Sequence, residues 1–210
     1  MVTQAELIGH DRLAAAAPIL RAAALQIADP QVRYVGTVGG NVAKGDPGND
    51  MPELMQCLDA TFTLAGPGGT RDVAARALYR SAYETARTDD EILTRISFAA
   101  LGGGYAYEKQ KRKIGDYATA AAAVTLTKQN GRVAMASIAM TNLRDTPAFA
   151  ESGGDALVGS TCDPASVKAA VDAMQTVIDP GADNRGPVAF KRHAAGAVLT
   201  RAILRARSRA

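Results

Sequence analysis

The sequence predicts an α+β fold in two parts. Alternating segments typical of strands and amphipathic segments typical of helices are grouped, without the regular strand–helix alternation of a parallel α/β sheet. In the second half, two predicted strands precede two predicted helices. A run of three glycines at residues 102–104 indicates a flexible junction, so we place a domain boundary there and divide the chain into residues 1–99 and 100–210.

The predicted helices of the first part lie on either side of two loops. Residues 5–27 predict helix, with one interruption and a fresh start at Pro18. A further helix is expected to begin near Pro52, where Asn49 or Asp50 is the expected N-cap and the proline falls in the first turn.

The predicted strands of the first part form a hairpin and a single later strand. Residues 60–65 alternate and are rich in β-formers, and a glycine–proline turn at residues 66–69 connects them to a partner strand at 71–75. The apolar positions of residues 91–98 suit one more strand that enters the same sheet.

The second part predicts a small sheet with helices. Residues 118–128 and 133–141 are expected to be strands, and residues 166–177 and 190–207 are expected to be amphipathic helices. The charged run at residues 105–119 precedes them and fits an edge strand followed by a turn. We therefore expect a three-stranded sheet with helices.

The composition fits a packed protein and excludes several functional classes. Of the 210 residues, 47% are hydrophobic and 21% charged, which favours a core over disorder. The net charge of +3 is modest, and the basic residues of the last twenty positions lack interleaved aromatic residues. We therefore expect a solvated helix face there and no nucleic-acid binding.

Cysteine and histidine are too scarce for a metal centre on this chain. Cys57 and Cys162 lie far apart, and His10 and His193 are the only histidines. We expect His10 to be a capping or surface residue. No apolar run is long enough for a transmembrane segment and no signal pattern is present, so we expect a cytoplasmic protein, with a peripheral position at the inner face of the membrane as an alternative.

Two glycine-rich loops at residues 28–51 are the most informative stretch. In the first, Thr37-Val38-Gly39-Gly40-Asn41, glycines permit φ > 0, and successive bare N–H groups can form an anion-binding nest. Thr37 and Asn41 add short polar side chains that can reach a phosphate oxygen. The loop therefore predicts either the pyrophosphate site of a dinucleotide cofactor or a tight turn between two segments.

The second loop, Asp46-Pro47-Gly48-Asn49-Asp50, is rigid and bears two acids. Two structured loops in tandem are more than a single turn requires, so the pair favours the binding interpretation. Asp50 has two expected roles: it caps the following helix, or it hydrogen-bonds a cofactor.

Residues 33–41 followed by residues 45–52 resemble the second FAD-binding segment of the flavoprotein subunits of molybdenum hydroxylases, the xanthine dehydrogenase flavoprotein family. The charged run YEKQKRKIGDYA at residues 107–118 is similar to a YEKxKRKxGDYA run in the carbon monoxide dehydrogenase branch of that family. The resemblance extends over essentially the whole chain. It implies the C-terminal portion of a two-lobed FAD-binding domain, the second lobe, followed by a small α+β domain.

The resemblance also implies roles for individual residues. The TxGGN loop would lie on the FAD pyrophosphate, Asp50 would contact the ribose-phosphate region, and Tyr117 would lie near the isoalloxazine ring. The charged run would then be a loop that brings an aromatic ring and positive charge to the flavin, as an alternative to the edge strand. The implied cofactor-binding set is Thr37, Val38, Gly39, Gly40, Asn41, Asp46, Asp50, Leu93, Lys109 and Tyr117.

The activity that the resemblance implies is electron transfer in an aerobic molybdenum-containing carbon monoxide dehydrogenase. Electrons would pass from a large subunit with the molybdenum cofactor, through a small subunit with [2Fe–2S] clusters, to FAD on this chain and then to a quinone or another acceptor. No Ser-His-Asp, Cys-His or paired-carboxylate set is present, so we expect no catalytic residue on the chain itself. The alternatives are the flavin subunit of a xanthine or aldehyde dehydrogenase, and a non-catalytic fragment that only docks partner subunits.

Family members carry a further N-terminal segment with a first glycine-rich loop of the AGGxS type, and the sequence contains none. Residues 1–7 are similar to the middle of the family's first domain. We therefore expect a fragment in which one loop, in place of two, holds FAD more weakly, because each charge-assisted hydrogen bond lost costs about 1.5–3 kcal/mol.

Overall fold

The computed structural model describes residues 1–210 and has ten helices and nine strands. The helices are α1 Gln4–Gly9, α2 Asp11–Ala16, α3 Pro18–Ala24, α4 Pro30–Val35, α5 Val38–Ala43, α6 Asp50–Cys57, α7 Ala75–Leu78, α8 Glu151–Asp155, α9 Pro164–Gln175 and α10 Val188–Ser208. The strands are β1 Thr61–Gly66, β2 Gly69–Ala74, β3 Tyr79–Ser81, β4 Glu84–Thr85, β5 Ile92–Ser97, β6 Gly104–Gln110, β7 Ala120–Gln129, β8 Arg132–Thr141 and β9 Ala148–Phe149.

The first part packs short helices against a small antiparallel sheet. Its three strands run in the order β2-β1-β5, and β3 and β4 form a separate two-stranded ribbon. The centre of the core contains Ile19 and Leu20 of α3, Met51 and Leu54 of α6, and Phe62 of β1, all of them fully buried. Helix α6 is buried at every one of its eight positions, so it is the central helix of this part.

The second part is an antiparallel sheet in the order β6-β7-β8-β9, with α8, α9 and α10 packed beside it. Alternate residues of strand β7 contribute to two different hydrophobic cores. Ala120 and Ala122 belong to the core under α10, whereas Ala121 and Ala123 belong to the core around α6. Successive side chains of a strand point to opposite faces, so the sheet is covered by helices of both parts.

The α+β class is confirmed, and most predicted elements are present. Residues 5–27 form three helices in place of two, because His10 starts a new helix: its Nδ1 accepts a hydrogen bond from the Leu13 amide. The hairpin formed by β1 and β2, the later strand β5, and the helices α9 and α10 are confirmed within a few residues. None of the helices combines the length and apolarity that a bilayer-crossing segment requires.

The structure differs from the sequence-based expectations in three places. The second sheet has four strands, because the two residues of β9 pair with Ala139 and Met140 of β8. The ribbon of β3 and β4 was not expected from the sequence. The glycines at the junction are not all a flexible link: a Cβ on Gly103 would overlap the Leu126 carbonyl, and a Cβ on Gly104 would overlap the Ala206 carbonyl at the end of α10.

The close approach of β6 and α10 generates a prediction. Gly104→Ala should lower the free energy of unfolding by about 1–3 kcal/mol, because the added methyl group forces the strand and the helix apart. Gly102→Ala is the matched control, since a Cβ there meets no atom within 4 Å. Urea denaturation of both variants measures the difference, and equal stabilities would show that the two elements can separate without cost.

Candidate functional site

A surface cleft of about 900 Å³ lies between the start of α5 and the edge strand β5. We call it the α5–β5 cleft and define it by residues 37–40 on one side and residues 92–96 on the other. Apolar side chains such as Leu7, Leu20 and Phe98 line its inner part. Its volume lies in the range of small-molecule and cofactor sites.

The first glycine loop is the N-terminus of a helix. Thr37 is the N-cap of α5, and its hydroxyl accepts a hydrogen bond of 3.0 Å from the Gly40 amide. The Val38 amide donates to the Val2 carbonyl at 2.9 Å. The Asn41 amide donates to the Thr37 carbonyl at 3.0 Å. The expected nest of bare amides with φ > 0 is therefore wrong, because neither Gly39 nor Gly40 has a positive φ and three amides of the loop already have partners.

Gly39 is the residue of this loop that leaves the cleft open. A Cβ at Gly39 would meet only Leu93 Cδ2, at 4.0 Å, whereas a Cβ at Gly40 would lie 2.8 Å from Thr37 Oγ1. A side chain at position 39 would thus extend into the cleft without disturbing the protein around it. A ligand can approach the backbone closely at this point.

Strand β5 carries a bulge where it borders the cleft. Thr63 of β1 pairs with Arg95 and Leu64 pairs with Leu93, so Thr94 is the extra residue. Its hydroxyl donates to the Thr63 carbonyl at 3.1 Å. A bulge redirects the neighbouring side chains of a strand. Leu93 and Arg95 both line the cleft.

The charged residues around the cleft leave it with excess positive charge. Glu91 is neutralised by Arg71, whose side chain donates to both carboxylate oxygens, and this hydrogen bonding lowers the pKa of Glu91 to about 2. Arg87 donates only to backbone carbonyls, and Arg95 has no hydrogen bond or acidic partner. A cleft with uncompensated guanidinium groups favours an anionic ligand.

The second glycine loop is tied to the first. Asn41 Oδ1 accepts from the Met51 amide at 3.2 Å, and its carbonyl accepts from Asn49 Nδ2 at 2.8 Å. Asp46 accepts from the Gly48 amide and from Lys44 Nζ, both at 3.0 Å. Asn41 and Asp46 therefore hold the two loops in place, and neither lines the α5–β5 cleft.

The second loop is also anchored on the sheet of the second part. Thr141 Oγ1 donates to the carbonyls of Pro47 at 2.8 Å and Asn49 at 3.0 Å, and the Asn142 amide donates to Pro47 at 2.9 Å. These contacts span more than ninety positions in the sequence, so they connect the two parts of the chain.

Asp50 is one member of a buried polar cluster. Lys109 Nζ lies 2.9 Å from Asp50 Oδ1, and the two side chains are 1% and 6% exposed. The Tyr107 hydroxyl also donates to Asp50, and burial together with the Asp50 charge raises the pKa of Tyr107. Asn49 is the N-cap residue of α6, and its own side chain makes no capping hydrogen bond; the first-turn amide of Met51 donates instead to Asn41 Oδ1. Asp50 therefore has no capping role.

Tyr117 lies apart from the cleft. Its ring packs on Gly48, where a Cβ would lie 2.7 Å from Tyr117 Cδ1, and the Arg185 guanidinium is 5.5 Å from the ring centroid. Tyr117 is 42% exposed. The expected edge strand and turn are confirmed, because Gly104–Gln110 form the edge strand β6 and residues 111–119 form the loop that contains Tyr117. That this loop brings an aromatic ring and positive charge to a flavin stays a prediction.

The ten sequence-predicted residues therefore occupy three places. The cleft brings together Thr37, Val38, Gly39, Gly40 and Leu93. The tied loops contain Asn41 and Asp46, with Tyr117 packed on Gly48 of the second loop. The buried cluster contains Asp50 and Lys109.

The sequence-based prediction missed Arg95 and Tyr107. Each lies two positions from a predicted residue on the same strand, Leu93 and Lys109, and this spacing is a signal that could have found Tyr107.

Both cysteines are free and buried. Cys57 Sγ lies 3.4 Å from the Ser137 carbonyl, and burial raises the pKa of this thiol to about 11. Burial also raises the pKa of Cys162. Among the histidines, cysteines and acids, no group of three is placed to hold a metal ion.

Two family models match the chain in succession. Residues 1–100 match the FAD binding domain in molybdopterin dehydrogenase, and residues 105–206 match the CO dehydrogenase flavoprotein C-terminal domain.

Similar proteins cover nearly the whole chain. It is 54% identical over 212 residues to the carbon monoxide dehydrogenase medium chain of Afipia carboxidovorans, a match that covers 100% of this chain and 74% of the relative. The medium chain of Hydrogenophaga pseudoflava is 40% identical, with 97% and 71% covered. The fold superimposes on reconstituted CO dehydrogenase from Oligotropha carboxidovorans with a TM-score of 0.97 at 53% identity, over 99% of this chain and 73% of that one. The chain therefore belongs to the family of the carbon monoxide dehydrogenase medium chains.

Proposed function

We propose that this chain is the FAD-binding electron-transfer subunit of a molybdenum-containing carbon monoxide dehydrogenase. The observation that carries the proposal is the α5–β5 cleft, which combines an open backbone at Gly39 with positive charge from Arg87 and Arg95. The named functions of the medium-chain relatives support it.

The residues of the cleft fit the chemistry of FAD. The anionic pyrophosphate would be attracted by the helix start at residues 37–40 and by the guanidinium of Arg95. The apolar inner wall suits flat aromatic rings. When bound, FAD supplies the redox chemistry, while the residues of this chain bind it, orient it and set the charge around it.

The remaining predicted residues have distinct proposed roles. Asn41 positions the cleft by holding the two loops together, and Asp46 orders the second loop from within through the Gly48 amide and Lys44. Asp50 and Lys109 remain proposed contacts of the cofactor's ribose-phosphate region, and in this structure each is the partner of the other. Tyr117 is proposed to lie near the isoalloxazine ring.

The proposed partners are those of the family: a molybdenum-binding large subunit, an iron–sulfur small subunit, and a quinone or another electron acceptor. We propose a cytoplasmic complex, with peripheral attachment to the inner face of the membrane as the alternative. We also propose the domain division at residues 1–99 and 100–210.

The proposal is tested by titrating FAD with the purified chain and following the fluorescence anisotropy of the flavin. Binding to a protein of 21.8 kDa slows the tumbling of FAD, so a saturable rise is expected. Anisotropy that stays at the value of free FAD would favour a non-catalytic fragment that only docks partner subunits.

The open space at Gly39 generates a prediction with opposite signs in two measurements. Gly39→Ala should raise the free energy of unfolding by about 0.5–1 kcal/mol, because alanine is the better helix former. The same methyl group points into the cleft, so FAD affinity should fall about tenfold, which corresponds to about 1.4 kcal/mol.

Gly9→Ala in α1 is the control, since a Cβ there meets no atom within 4 Å and lies outside the cleft. It should leave the FAD affinity unchanged. A Gly39→Ala chain that binds FAD as tightly as the parent would exclude this residue from the site.

The free guanidinium of Arg95 generates a second prediction. Arg95→Gln should weaken FAD binding by about 3- to 30-fold, because one charge-assisted contact to a phosphate is lost, and the loss should shrink at high salt. Arg80→Gln is the matched control: Arg80 is an exposed arginine of β3 that lies outside the cleft. Equal losses in the two variants would indicate a general charge effect and no specific contact by Arg95.

A further inference from the structure

Glu53 is a buried carboxyl group without a partner. It lies on α6, one turn after Asp50, and is 0% exposed. Neither of its carboxyl oxygens has a hydrogen bond. Asp50 on the same helix has two donors, Tyr107 and Lys109. Of the two acids on this helix, Asp50 is therefore hydrogen-bonded and Glu53 has no hydrogen bond.

The ionisable groups around Glu53 come from α6 and β6. Burial raises the pKa of Glu53 well above its ordinary value, the Asp50 charge raises it further, and the Lys109 charge opposes both effects. Charge on Glu53 in turn raises the pKa of Tyr107 and Cys57. A buried carboxyl group with no hydrogen-bond donor favours its neutral form over its charged form.

Other elements that pack on α6 add no further charge at this point. Their charged residues are exposed or bonded elsewhere: Arg21 of α3, Arg76 of α7 and Arg132 of β8 are exposed, and Lys128 of β7 donates to carbonyls at the end of α10. The cluster thus holds one ammonium group and two acids. Two close carboxylates in one buried site do not both ionise readily.

We propose that Glu53 is a reserve partner for Lys109. When Asp50 is engaged by another donor or is removed, the O–H bond of Glu53 breaks, its proton leaves to solvent, and its carboxylate pairs with the Lys109 ammonium. No electron changes hands, and the net charge of the chain falls by one. Glu53 acts through Lys109, so it is a positioning residue.

A move of Lys109 from Asp50 to Glu53 would also affect cofactor binding. Asp50 is a proposed contact of the cofactor, yet both of its oxygens are occupied. Transfer of Lys109 to Glu53 would free an Asp50 oxygen for a cofactor hydroxyl group, with release of one proton. This role in cofactor binding rests on the proposed function, whereas the pairing of Glu53 with Lys109 does not.

The experiment measures unfolding of four chains between pH 5 and 8: the parent, Glu53→Gln, Asp50→Asn and the double variant. In the parent, burial raises the pKa of Glu53 in the folded chain above its value in the unfolded chain. The neutral side chain therefore contributes its full stability at pH values below the pKa of the unfolded chain. The effect is lost as pH rises towards the folded value. The Glu53→Gln chain has no carboxyl group to ionise at this position. Its stability relative to the parent should therefore increase with pH, by up to about tenfold in the folding equilibrium constant per pH unit.

In the Asp50→Asn background the sign should reverse. There Glu53 is expected to be ionised and paired with Lys109, so Glu53→Gln should destabilise the chain. Asp46→Asn is the matched control, because Lys44 is 53% exposed and has no buried acid in reserve. In that background Glu53→Gln should stabilise as it does in the parent. The same sign in all backgrounds would overturn the proposal.

A second measurement observes the proton directly. The side-chain carbon resonance of Glu53 in a ¹³C-glutamate-labelled chain, assigned by its loss in Glu53→Gln, should report a neutral acid at pH 7 in the parent and a carboxylate in Asp50→Asn. Should Asp50→Asn fail to fold, Lys109→Met replaces it and should move the Glu53 titration to higher pH. An unshifted titration, or a Glu53 that stays protonated in Asp50→Asn, would overturn the proposal. None of these measurements uses FAD, so a negative result would overturn the Glu53–Lys109 pairing without bearing on the proposed FAD binding.

Discussion

The buried ion pair between Asp50 and Lys109 is the constraint on which the geometry of the site depends. It joins the start of the central helix α6 to the edge strand β6, with both side chains almost fully buried. Breaking a buried pair leaves an uncompensated charge and costs about 3–5 kcal/mol, whereas an exposed pair such as Lys168–Asp172 contributes about 1 kcal/mol or less. The ion pairs of this chain therefore differ greatly in what they contribute to its stability.

The position of the cleft follows from that pair through a short series of hydrogen bonds. Asp50 begins α6, the adjacent Met51 amide binds Asn41, and Asn41 belongs to α5, whose first turn borders the cleft. Thr141 holds the same loop from the opposite side. Asn41 and Thr141 can thus set where a ligand binds, although neither lines the cleft.

Local patterns predicted most of the fold, and long-range contacts account for the rest. The β1–β2 hairpin and helix α10 follow from alternation, turn residues and amphipathic spacing, which act over a few residues. Two glycines in a row suggested an open turn, although Thr37 at their start is a good N-cap and predicts a helix equally well. The pairing of Asp50 with Tyr107 and Lys109 spans nearly sixty residues, so no local pattern contains it. Gly104 is needed because α10 returns against β6, which the sequence does not reveal.

The burial of the two cysteines has a consequence for a protein that is proposed to work beside a redox cofactor. Sulfur reacts with peroxide and with disulfides as the thiolate, and the pKa of about 11 keeps Cys57 almost wholly in the thiol form at neutral pH. The fold of this chain therefore exposes no readily oxidised sulfur from cysteine to by-products of electron transfer. Oxidation of sulfur in this chain would then occur mainly at exposed methionines such as Met135, which form the sulfoxide.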